Sequence, residues 1–308
     1  MKIIIVAPKT ITKHRFDNTP LRYDLMVWNF FIPLMSLGHD TTLFDTSQFG
    51  DKELQKLIED KKPDLLFCIM TGDKGYCPHE PWSTIIDETK KGRLKTFNWF
   101  CDDTWRFENF SSKVCWNFHA CSTPEKECVN KFKDINYNNI LYATWHANAD
   151  LYSNVNAKRQ NQIAFIGAPH GDRKVFLDSL QRNNIPLFSP ANVAFEDAIW
   201  AYSNSTIGIN FSKNPANRKP QMKCRMFEIP ATEALLLTEY HKNLENCYDV
   251  DKEIVTFKSE SELITKVKFL IKNPAIVKQI ARRGYERYLK EHESKIRLES
   301  VIAELEKI

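Results

Sequence analysis

The segment Gln221–Glu239 reads QMKCRMFEIPATEALLLTE and contains the pattern that decides the fold. We predict a helix over Lys223–Ala234 and an apolar strand over Leu235–Glu239, directly after it. An earlier apolar run, Thr206–Phe211 (TIGINF), predicts a strand before the helix. A strand, a helix and a second strand in this order indicate a right-handed βαβ unit, from which parallel sheets are built.

The same alternation of short apolar runs and helical patterns extends over the whole chain. Before residue 150 we predict strands at Lys2–Val6, Thr41–Phe44, Pro63–Met70, Leu94–Phe100, Asn117–Cys121 and Ile140–Thr144. The helices between them are predicted at Arg22–Leu37, Asp51–Lys61, His79–Lys91 and Thr123–Asp134, the last with Thr123 as N-cap and Pro124 at its first position. After residue 160 we predict strands at Gln162–Gly167, Ile185–Phe188 and Ile254–Phe257, and helices at Asp172–Arg182, Phe195–Ser203, Glu260–Lys272, Ala275–Lys290 and at the end of the chain. The polar segment Asp150–Asn161 lacks periodicity, so it predicts the break between two α/β domains.

Composition excludes several classes of protein. The chain has 308 residues, of which 43% are hydrophobic and 27% charged, as in an ordered globular protein. Only nine residues are glycine, and neither G-x-G-x-x-G nor a P-loop motif occurs, which excludes a glycine-rich dinucleotide or nucleoside-triphosphate loop. The eight cysteines form no C-x-x-C pair, so we expect reduced thiols and no zinc site. The first apolar run is too short for a signal peptide and no run is long enough to span a membrane, so we expect a soluble, cytoplasmic protein.

The positive charge of the chain lies in its second half. Residues 1–155 carry 19 basic and 20 acidic side chains, whereas the rest carries 24 and 19. No acid occurs between Asp197 and Glu228, an interval that contains the five bases Lys213, Arg218, Lys219, Lys223 and Arg225. Such a cluster after a strand and before a helix is typical of an anion site, because ligands bind at the carboxyl ends of parallel strands. A solvated basic loop is the alternative.

The segment Gln221–Glu239 resembles the C-terminal domain of the CgeB-like (spore-protein-type) glycosyltransferases, which are related to the retaining group-1 glycosyltransferases. In that family K-x-R-x-F-E-x-P-A precedes an apolar strand ending in Leu-Thr-Glu. The matching residues here are Lys223, Arg225, Phe227, Glu228, Pro230, Ala231, Leu237, Thr238 and Glu239. Upstream, FIGAPHGDRKVFLDSL resembles the family's strand–loop–helix segment, with Gly167, His170 and Arg173 in place. The resemblance covers Gln162–His292 well and the first domain only loosely.

The resemblance implies a GT-B fold, in which two Rossmann-like domains with parallel sheets face each other across a cleft. We expect an acceptor-side domain over residues 1–155 and a nucleotide-sugar-binding domain over residues 156–291. A helix over residues 292–308 would then cross back to pack on the first domain. The implied activity is transfer of a sugar from a nucleotide-diphosphate sugar, UDP-linked by expectation, to a hydroxyl acceptor, with no metal and no further cofactor.

The resemblance also implies which residues bind the donor. Arginine and lysine side chains would hold the diphosphate and stabilise it as a leaving group, while a carboxylate would accept the ribose hydroxyls. The donor-binding residues implied are Gly167, His170, Arg173, Lys223, Arg225, Glu228, Thr238 and Glu239, with Glu228 as the ribose ligand. Alternatively, Glu228 interacts with the helix dipole or pairs with Arg225, and Arg173 is a surface charge of its helix.

Two positions depart from the family pattern. Retaining relatives often carry two glutamates separated by seven residues, but the residue eight positions before Glu228 is Pro220. The small residue or glycine that usually precedes the apolar strand is here Glu233. Both departures favour a second hypothesis, in which the chain is a non-catalytic nucleotide- or nucleic-acid-binding protein on a degenerate GT-B fold.

The segment Phe97–Phe107, FNWFCDDTWRF, is the best candidate for the acceptor side. Asp102 or Asp103 would act as a catalytic base or position a hydroxyl, and Trp99, Trp105 and Arg106 would contact the acceptor. Alternatively, the acid pair caps the following helix. His146 is a further candidate for the catalytic base, with a structural role as the alternative.

The acceptor class stays open between two possibilities. One is a hydroxymethylated base in DNA, as in phage-type DNA modification, and the other is a hydroxyl of a surface glycan or protein. The acidic balance of the first domain argues against a broad DNA-binding face. Lys13 and Arg15, which follow the first strand with Lys9 and His14, form a local basic patch and are candidate acceptor-binding residues.

Overall fold

The computed structural model describes residues 1–11, 22–152, 159–190, 193, 195–214, 216 and 218–308. The chain forms two compact units. Unit 1 contains Met1–Thr144 and the C-terminal Ser294–Ile308, and unit 2 contains Trp145–Glu293. Unit 2 therefore begins about ten residues before the boundary predicted at residue 156.

Unit 1 is built on a six-stranded parallel sheet. Its strands are β1 (Lys2–Ala7), β4 (Asp40–Asp45), β5 (Leu65–Cys68), β6 (Lys95–Trp99), β7 (Ala120–Thr123) and β8 (Ile140–Tyr142), in the order β4-β1-β5-β6-β7-β8. Two short antiparallel strands, β2 (Thr10–Ile11) and β3 (Arg22–Tyr23), pair separately. The residues of β5 are buried on both faces, which is why the central strands read as continuous apolar runs.

Helices follow the strands of unit 1 as the βαβ pattern predicts. They are α1 (Ile32–Ser36), α2 (Asp51–Lys61), α3 (Trp82–Lys91), α4 (Asp103–Arg106), α5 (Ser112–Val114) and α6 (Lys126–Asp134). Two π-helical turns, Val27–Phe31 and Phe107–Ser111, lead into α1 and α5, and a 3-10 turn follows at Cys115–Asn117. The predicted cap at Thr123 is wrong. Thr123 ends β7, where it pairs with Tyr142, and the helix begins only at Lys126.

Unit 2 is built on a five-stranded parallel sheet in the order β10-β9-β11-β12-β13. The strands are β9 (Asn161–Ala164), β10 (Leu187–Phe188), β11 (Ser205–Asn210), β12 (Leu235–Glu239) and β13 (Val255–Phe257). Its helices are α7 (Ala149–Tyr152), α8 (Asp172–Arg182), α9 (Phe195–Ser203), α10 (Arg225–Ala231), α11 (Glu260–Lys272) and α12 (Pro274–Glu291), with a 3-10 turn at Lys242–Asn246. The helix predicted over Lys223–Ala234 is shorter than expected, because Glu233 adopts a left-handed φ of 55° and ends it.

Close packing fixes α10 against the sheet of unit 2. A Cβ on Gly208 would lie 2.6 Å from the Ile229 side chain, so only glycine lets this helix approach β11 so closely. One apolar cluster, which includes Ile163, Ile209 and Leu237, fills the space between the sheet and its helices. The deciding segment of the sequence is therefore at the centre of the second domain.

The last helix, α13 (Ser294–Lys307), belongs to unit 1. It packs on α1, and the Lys95 ammonium group donates a hydrogen bond of 2.7 Å to the Leu305 carbonyl. None of the helices in the described part of the chain is long and apolar enough to span a bilayer. Two Rossmann-like α/β units, each with a parallel sheet, confirm the predicted fold class.

Candidate functional site

A pocket of about 160 Å³ opens at the carboxyl edge of the unit 2 sheet. The chain passes from β9 to β10 on one side of the sheet and from β11 to β12 on the other, so the pocket lies at the topological switch point. Its lining residues come from the loop before α8, from α8 itself, from the loop after β11 and from the end of β12: His170, Gly171, Asp172, Arg173, Phe176, Phe211, Lys213, Asn214, Arg218 and Glu239. The pocket brings together the predicted donor residues His170, Arg173 and Glu239.

Arg173 lines this pocket and connects two of its loops. Its guanidinium group donates hydrogen bonds of 3.2 Å to the carbonyl oxygens of Ala168 and Lys213, which ties the loop after β9 to the loop after β11. Burial lowers the pKa of Arg173, and the Glu239 charge opposes this effect. Because an arginine stays protonated at any physiological pH, the pocket retains a fixed positive charge.

Glu239 is held by the loop after β11. Its carboxylate accepts hydrogen bonds from the Lys213 backbone N–H at 3.0 Å and from the Ser212 hydroxyl at 3.2 Å. The Lys213 ammonium group lies 2.8 Å from the other carboxylate oxygen. Glu239 therefore positions Lys213 at the pocket.

A second ion pair crosses the mouth of the pocket. Arg218 contacts Asp172, the first residue of α8, and both side chains are partly exposed. Three cations, Arg173, Lys213 and Arg218, thus face two carboxylates, so the pocket carries a surplus of positive charge. An incoming anion with several oxygens can compete for these cations, since the Arg218–Asp172 pair is screened by solvent.

The remaining predicted donor residues lie outside the lining of this pocket. Lys223 donates hydrogen bonds of 2.9 Å to the carbonyl oxygens of Phe211 and Lys213, and so supports the loop from behind. Thr238 is fully buried and accepts a hydrogen bond of 2.9 Å from Asn210, which joins β11 to β12. Gly167 is exposed, with a φ of 153°, where the chain leaves the sheet for the loop.

Arg225 and Glu228 form an ion pair in α10, in which Glu228 is buried and the Arg225 side chain is 26% exposed. Glu228 is 1% exposed, and one of its oxygens accepts a hydrogen bond from Arg225. The Glu228 charge raises the pKa of Arg225 well above its usual value, although burial acts in the opposite direction. Tyr152 and Tyr202 lie beside the pair, and burial raises the pKa of both phenols. The alternative interpretation of Glu228, as an ion-pair partner of Arg225, describes this geometry.

The predicted acceptor residues of unit 1 divide into buried and accessible groups. Trp99 is fully buried, with its ring 5.1 Å from Phe30 and 6.5 Å from Phe67, so the predicted contact with the acceptor is not accessible in this structure. Asp103 is also fully buried and accepts a hydrogen bond from the Ser111 hydroxyl. Burial raises the pKa of Asp103 to about 7, which the hydroxyls of Ser111 and Thr123 partly oppose. Asp103 therefore does not reach an acceptor in this structure.

Asp102, Trp105 and Arg106 lie at the carboxyl edge of the unit 1 sheet. Asp102 is half-buried at the start of α4, where its carbonyl accepts hydrogen bonds from the backbone N–H groups of Trp105 and Arg106. Trp105 is 38% exposed. Arg106 lies over the rings of Trp105 and Phe110, and donates a hydrogen bond to the Thr71 carbonyl. Trp105, Arg106 and the Gly72–Gly75 loop line a second pocket of about 610 Å³, whereas Asp102 lines a much smaller one that shares Arg106 and Phe110 with it.

Glu80 supports this second pocket and is not evident from the sequence. Its carboxylate accepts hydrogen bonds from the backbone N–H groups of Thr71 and Gly72 and, at 3.1 Å, from the Trp82 indole N–H. Burial raises the pKa of Glu80, and these hydrogen bonds oppose the increase. No local pattern identifies Glu80, because its partners meet it only after the loop has folded back.

Of three further predicted residues, only His146 lies in the described part of the chain. His146 is fully buried in unit 2, so it is not exposed to an acceptor in this structure and the prediction that it is the catalytic base is not supported by its position. Lys13 and Arg15 lie outside the described residues. Lys213 and Arg218 were part of the basic interval, but only the structure shows that they line the pocket. Within the described part of the chain, no three His, Cys, Asp or Glu side chains are grouped to hold a metal ion.

Sequence comparison finds a known protein family that is similar to the part of the chain containing the unit 2 pocket. Residues 157–303 match the family described as "Glycosyl transferase-like". The unit 2 pocket, with Arg173, Lys213, Arg218 and Glu239, lies wholly inside the matched residues. No curated protein matches the chain by sequence.

Solved structures show the same fold over the full chain. The chain is similar to HepE from Anabaena in complex with UDP-glucose, with a TM-score of 0.65, 8% identity and 100% of both chains covered. Sucrose-phosphate synthase from Thermosynechococcus elongatus has a TM-score of 0.64 and 8% identity, with 99% of both chains covered. A glycosyltransferase from Rickettsia africae has a TM-score of 0.63 and 10% identity, with 99% of this chain and 98% of that chain covered. At these identities the similarity establishes the fold, which is GT-B.

Proposed function

We propose that this protein is a glycosyltransferase that binds a nucleotide-diphosphate sugar in the unit 2 pocket. The observation that carries this proposal is the position of Arg173, Lys213 and Arg218, which converge at the switch point of the sheet inside the glycosyl transferase-like residues. Phosphate oxygens are strong acceptors for arginine and lysine, and this position is where α/β sheets bind their ligands.

The same cations would assist the chemical step. In sugar transfer the bond between the anomeric carbon and the diphosphate oxygen breaks, and its electron pair leaves with the nucleotide. A new bond forms to the acceptor oxygen, and the acceptor proton passes to a base. Fixed positive charge at the departing diphosphate stabilises the transition state, in which negative charge develops on the leaving group. Arg173 is suited to this role because its position is set by two backbone carbonyls.

We propose UDP as the nucleotide and donor binding without a metal. The neighbour HepE from Anabaena was solved in complex with UDP and with UDP-glucose. Side-chain cations already lie at the pocket, so we infer that they supply the charge which a divalent ion supplies in metal-dependent enzymes. Glu239 would then hold the Lys213 ammonium group in position to contact the diphosphate.

For the acceptor side we propose the second pocket, with Trp105 and Arg106 as contact residues and with Asp102, which lines the smaller pocket that shares Arg106, as the base. Trp105 offers an exposed ring for stacking, while Asp102 is the accessible member of the acid pair. A hydroxymethylated DNA base and a glycan or protein hydroxyl both suit a pocket with an aromatic ring and a cation. We propose these two acceptor classes for direct comparison.

A non-catalytic nucleotide-binding protein is the second candidate function. Pro220 occupies the position of the first glutamate of the retaining pair, and Glu228 is buried against Arg225. A chain that has lost turnover would bind UDP and release no UDP from UDP-glucose.

Donor turnover tests the proposed function. Purified protein is incubated with UDP-glucose, alone and with hydroxymethylated DNA, and the released UDP is measured. We expect slow release without acceptor and faster release with a suitable one. Asp102→Asn should lower the acceptor-dependent rate by about 10²–10⁴-fold, the usual contribution of a general base, while the exposed Asp134→Asn should not change it. Binding of UDP with no release from any UDP-, GDP- or TDP-sugar, with or without acceptor, would favour the non-catalytic alternative.

A further inference from the structure

A second cavity of unit 2 lies at the opposite edge of the sheet from the donor pocket. It has a volume of about 530 Å³, within the usual range of small-molecule sites. Gln162 near the start of β9, Ile207 near the start of β11 and Glu233 just before β12 contribute to its wall. The donor chemistry described above does not use this cavity.

The walls of this cavity are apolar. Residues of β11, α11 and α12 provide them: Ile207, Leu270, Ile271, Pro274, Val277 and Ala281. On α12 the spacing of Pro274, Val277 and Ala281 places them on one face of the helix, which is turned toward the cavity. Among the described lining residues none is aromatic, so the cavity offers no ring on which a nucleotide base could stack.

The rim of the cavity is charged and mostly basic. Arg159, Lys278 and Arg282 are on it together with one acid, Glu233. Arg159 donates its hydrogen bonds to backbone carbonyls, including that of Thr232 at 2.8 Å. Arg282 is paired with Glu233 at 2.8 Å and with Glu286 at 2.8 Å. Lys278 has no ion pair or hydrogen bond within the described part of the chain, so its charge is available to a ligand.

The backbone conformation of Glu233 is a second observation that indicates a ligand site at this rim. It holds a left-handed φ of 55°, a conformation that costs a residue with a side chain about 1 kcal/mol. Glycine would adopt it without strain. The chain nevertheless carries a glutamate there, and that glutamate positions Arg282 next to Lys278 on the same helix face.

We propose that this cavity binds a single-chain amphipathic carboxylate from solution. The apolar chain would lie against the α11 and α12 side chains, and the carboxylate would pair with Lys278 at the rim. An apolar body and an anionic head match an apolar wall beside an excess of positive charge. The site is separate from the donor pocket, so its occupancy does not depend on the glycosyltransferase proposal.

Dodecanoate is a suitable probe, used below its micelle concentration with the full-length chain in isothermal titration calorimetry. We expect saturable binding with one molecule per chain, unchanged when UDP is present. Octanoate should bind at least about tenfold more weakly, because each buried methylene contributes about 0.8 kcal/mol. Dodecanol, which has the same chain and no charge, should also bind at least about tenfold more weakly, a difference of about 1.4 kcal/mol.

Lys278→Glu tests the rim directly and leaves the cavity walls intact. It should weaken dodecanoate binding at least about tenfold. Lys272→Glu, an exposed charge reversal in α11 outside the cavity lining, should leave binding unchanged. Absence of saturable binding would overturn the proposal, as would equal binding by the Lys278→Glu variant. Equal binding of dodecanol would overturn the assignment to an anion.

Discussion

Replacement of Asp103 by asparagine should change how the stability of the protein depends on pH. Asp103 is fully buried, and burial raises its pKa from the ordinary value of 3.8 to about 7. The folded state therefore holds this proton more tightly than the unfolded state does. Stability from this group is fully present below about pH 4, the unfolded pKa, and is lost as the pH rises through about 7.

The magnitude follows from the two pKa values. A change from 3.8 to about 7 corresponds to about 4 kcal/mol of unfolding free energy at most. Between pH 5 and pH 8 the expected loss is about 2.5 kcal/mol, because part of the change occurs below pH 5. Asparagine does not titrate, so the Asp103→Asn variant lacks this component.

Urea unfolding at several pH values between 5 and 8 measures the effect. The difference in unfolding free energy between wild type and Asp103→Asn should change by about 2.5 kcal/mol over this range, in favour of the variant at high pH. Parallel pH profiles for wild type and Asp103→Asn would show that Asp103 is ionised in the folded protein, and the burial argument would be wrong.

Three other predictions concern the second domain and its donor. Arg225→Ala should destabilise the protein by about 3–5 kcal/mol in urea unfolding, because it leaves the Glu228 charge buried and unpaired; a loss below 1 kcal/mol would contradict the buried pair. Glu233→Ala should lower the unfolding free energy by up to about 1 kcal/mol relative to Glu233→Gly, since alanine keeps the left-handed strain that glycine relieves. Excess EDTA should leave UDP binding unchanged if side chains alone hold the diphosphate, and restoration of lost binding by Mg²⁺ or Mn²⁺ would disprove metal independence.

The alternation of strands and helices could be predicted from sequence because parallel strands are covered on both faces. Pro63–Met70, for example, is predicted as a strand, and its centre is β5. The ends of the helices were harder to predict from the sequence. The Thr123–Pro124 pair has the form of a helix start, but pairing with β8 keeps Thr123 in the sheet. A contact between residues that are distant in sequence therefore determines where this helix begins.

The candidate site was predictable as a region and not as a set of contacts. The basic interval was evident, yet only the path of the loop decides that Lys213 and Arg218 line the pocket while Lys223 supports it from behind. The burial of Trp99 could have been predicted from the sequence. In β6 it shares a face with Phe97, two residues earlier, and both rings contact Phe67 in the core.

The central claim is that Arg173 and its neighbours bind a nucleotide diphosphate, and calorimetric titration with UDP tests it most directly. We expect one binding site on the wild type and at least about tenfold weaker binding by Arg173→Gln, since a hydrogen bond to a charged group contributes about 1.5–3 kcal/mol. Arg182→Gln is the matched control, because Arg182 is an exposed residue at the far end of the same helix. It should bind UDP as the wild type does. No binding of UDP, or equal binding by wild type and Arg173→Gln, would contradict the account.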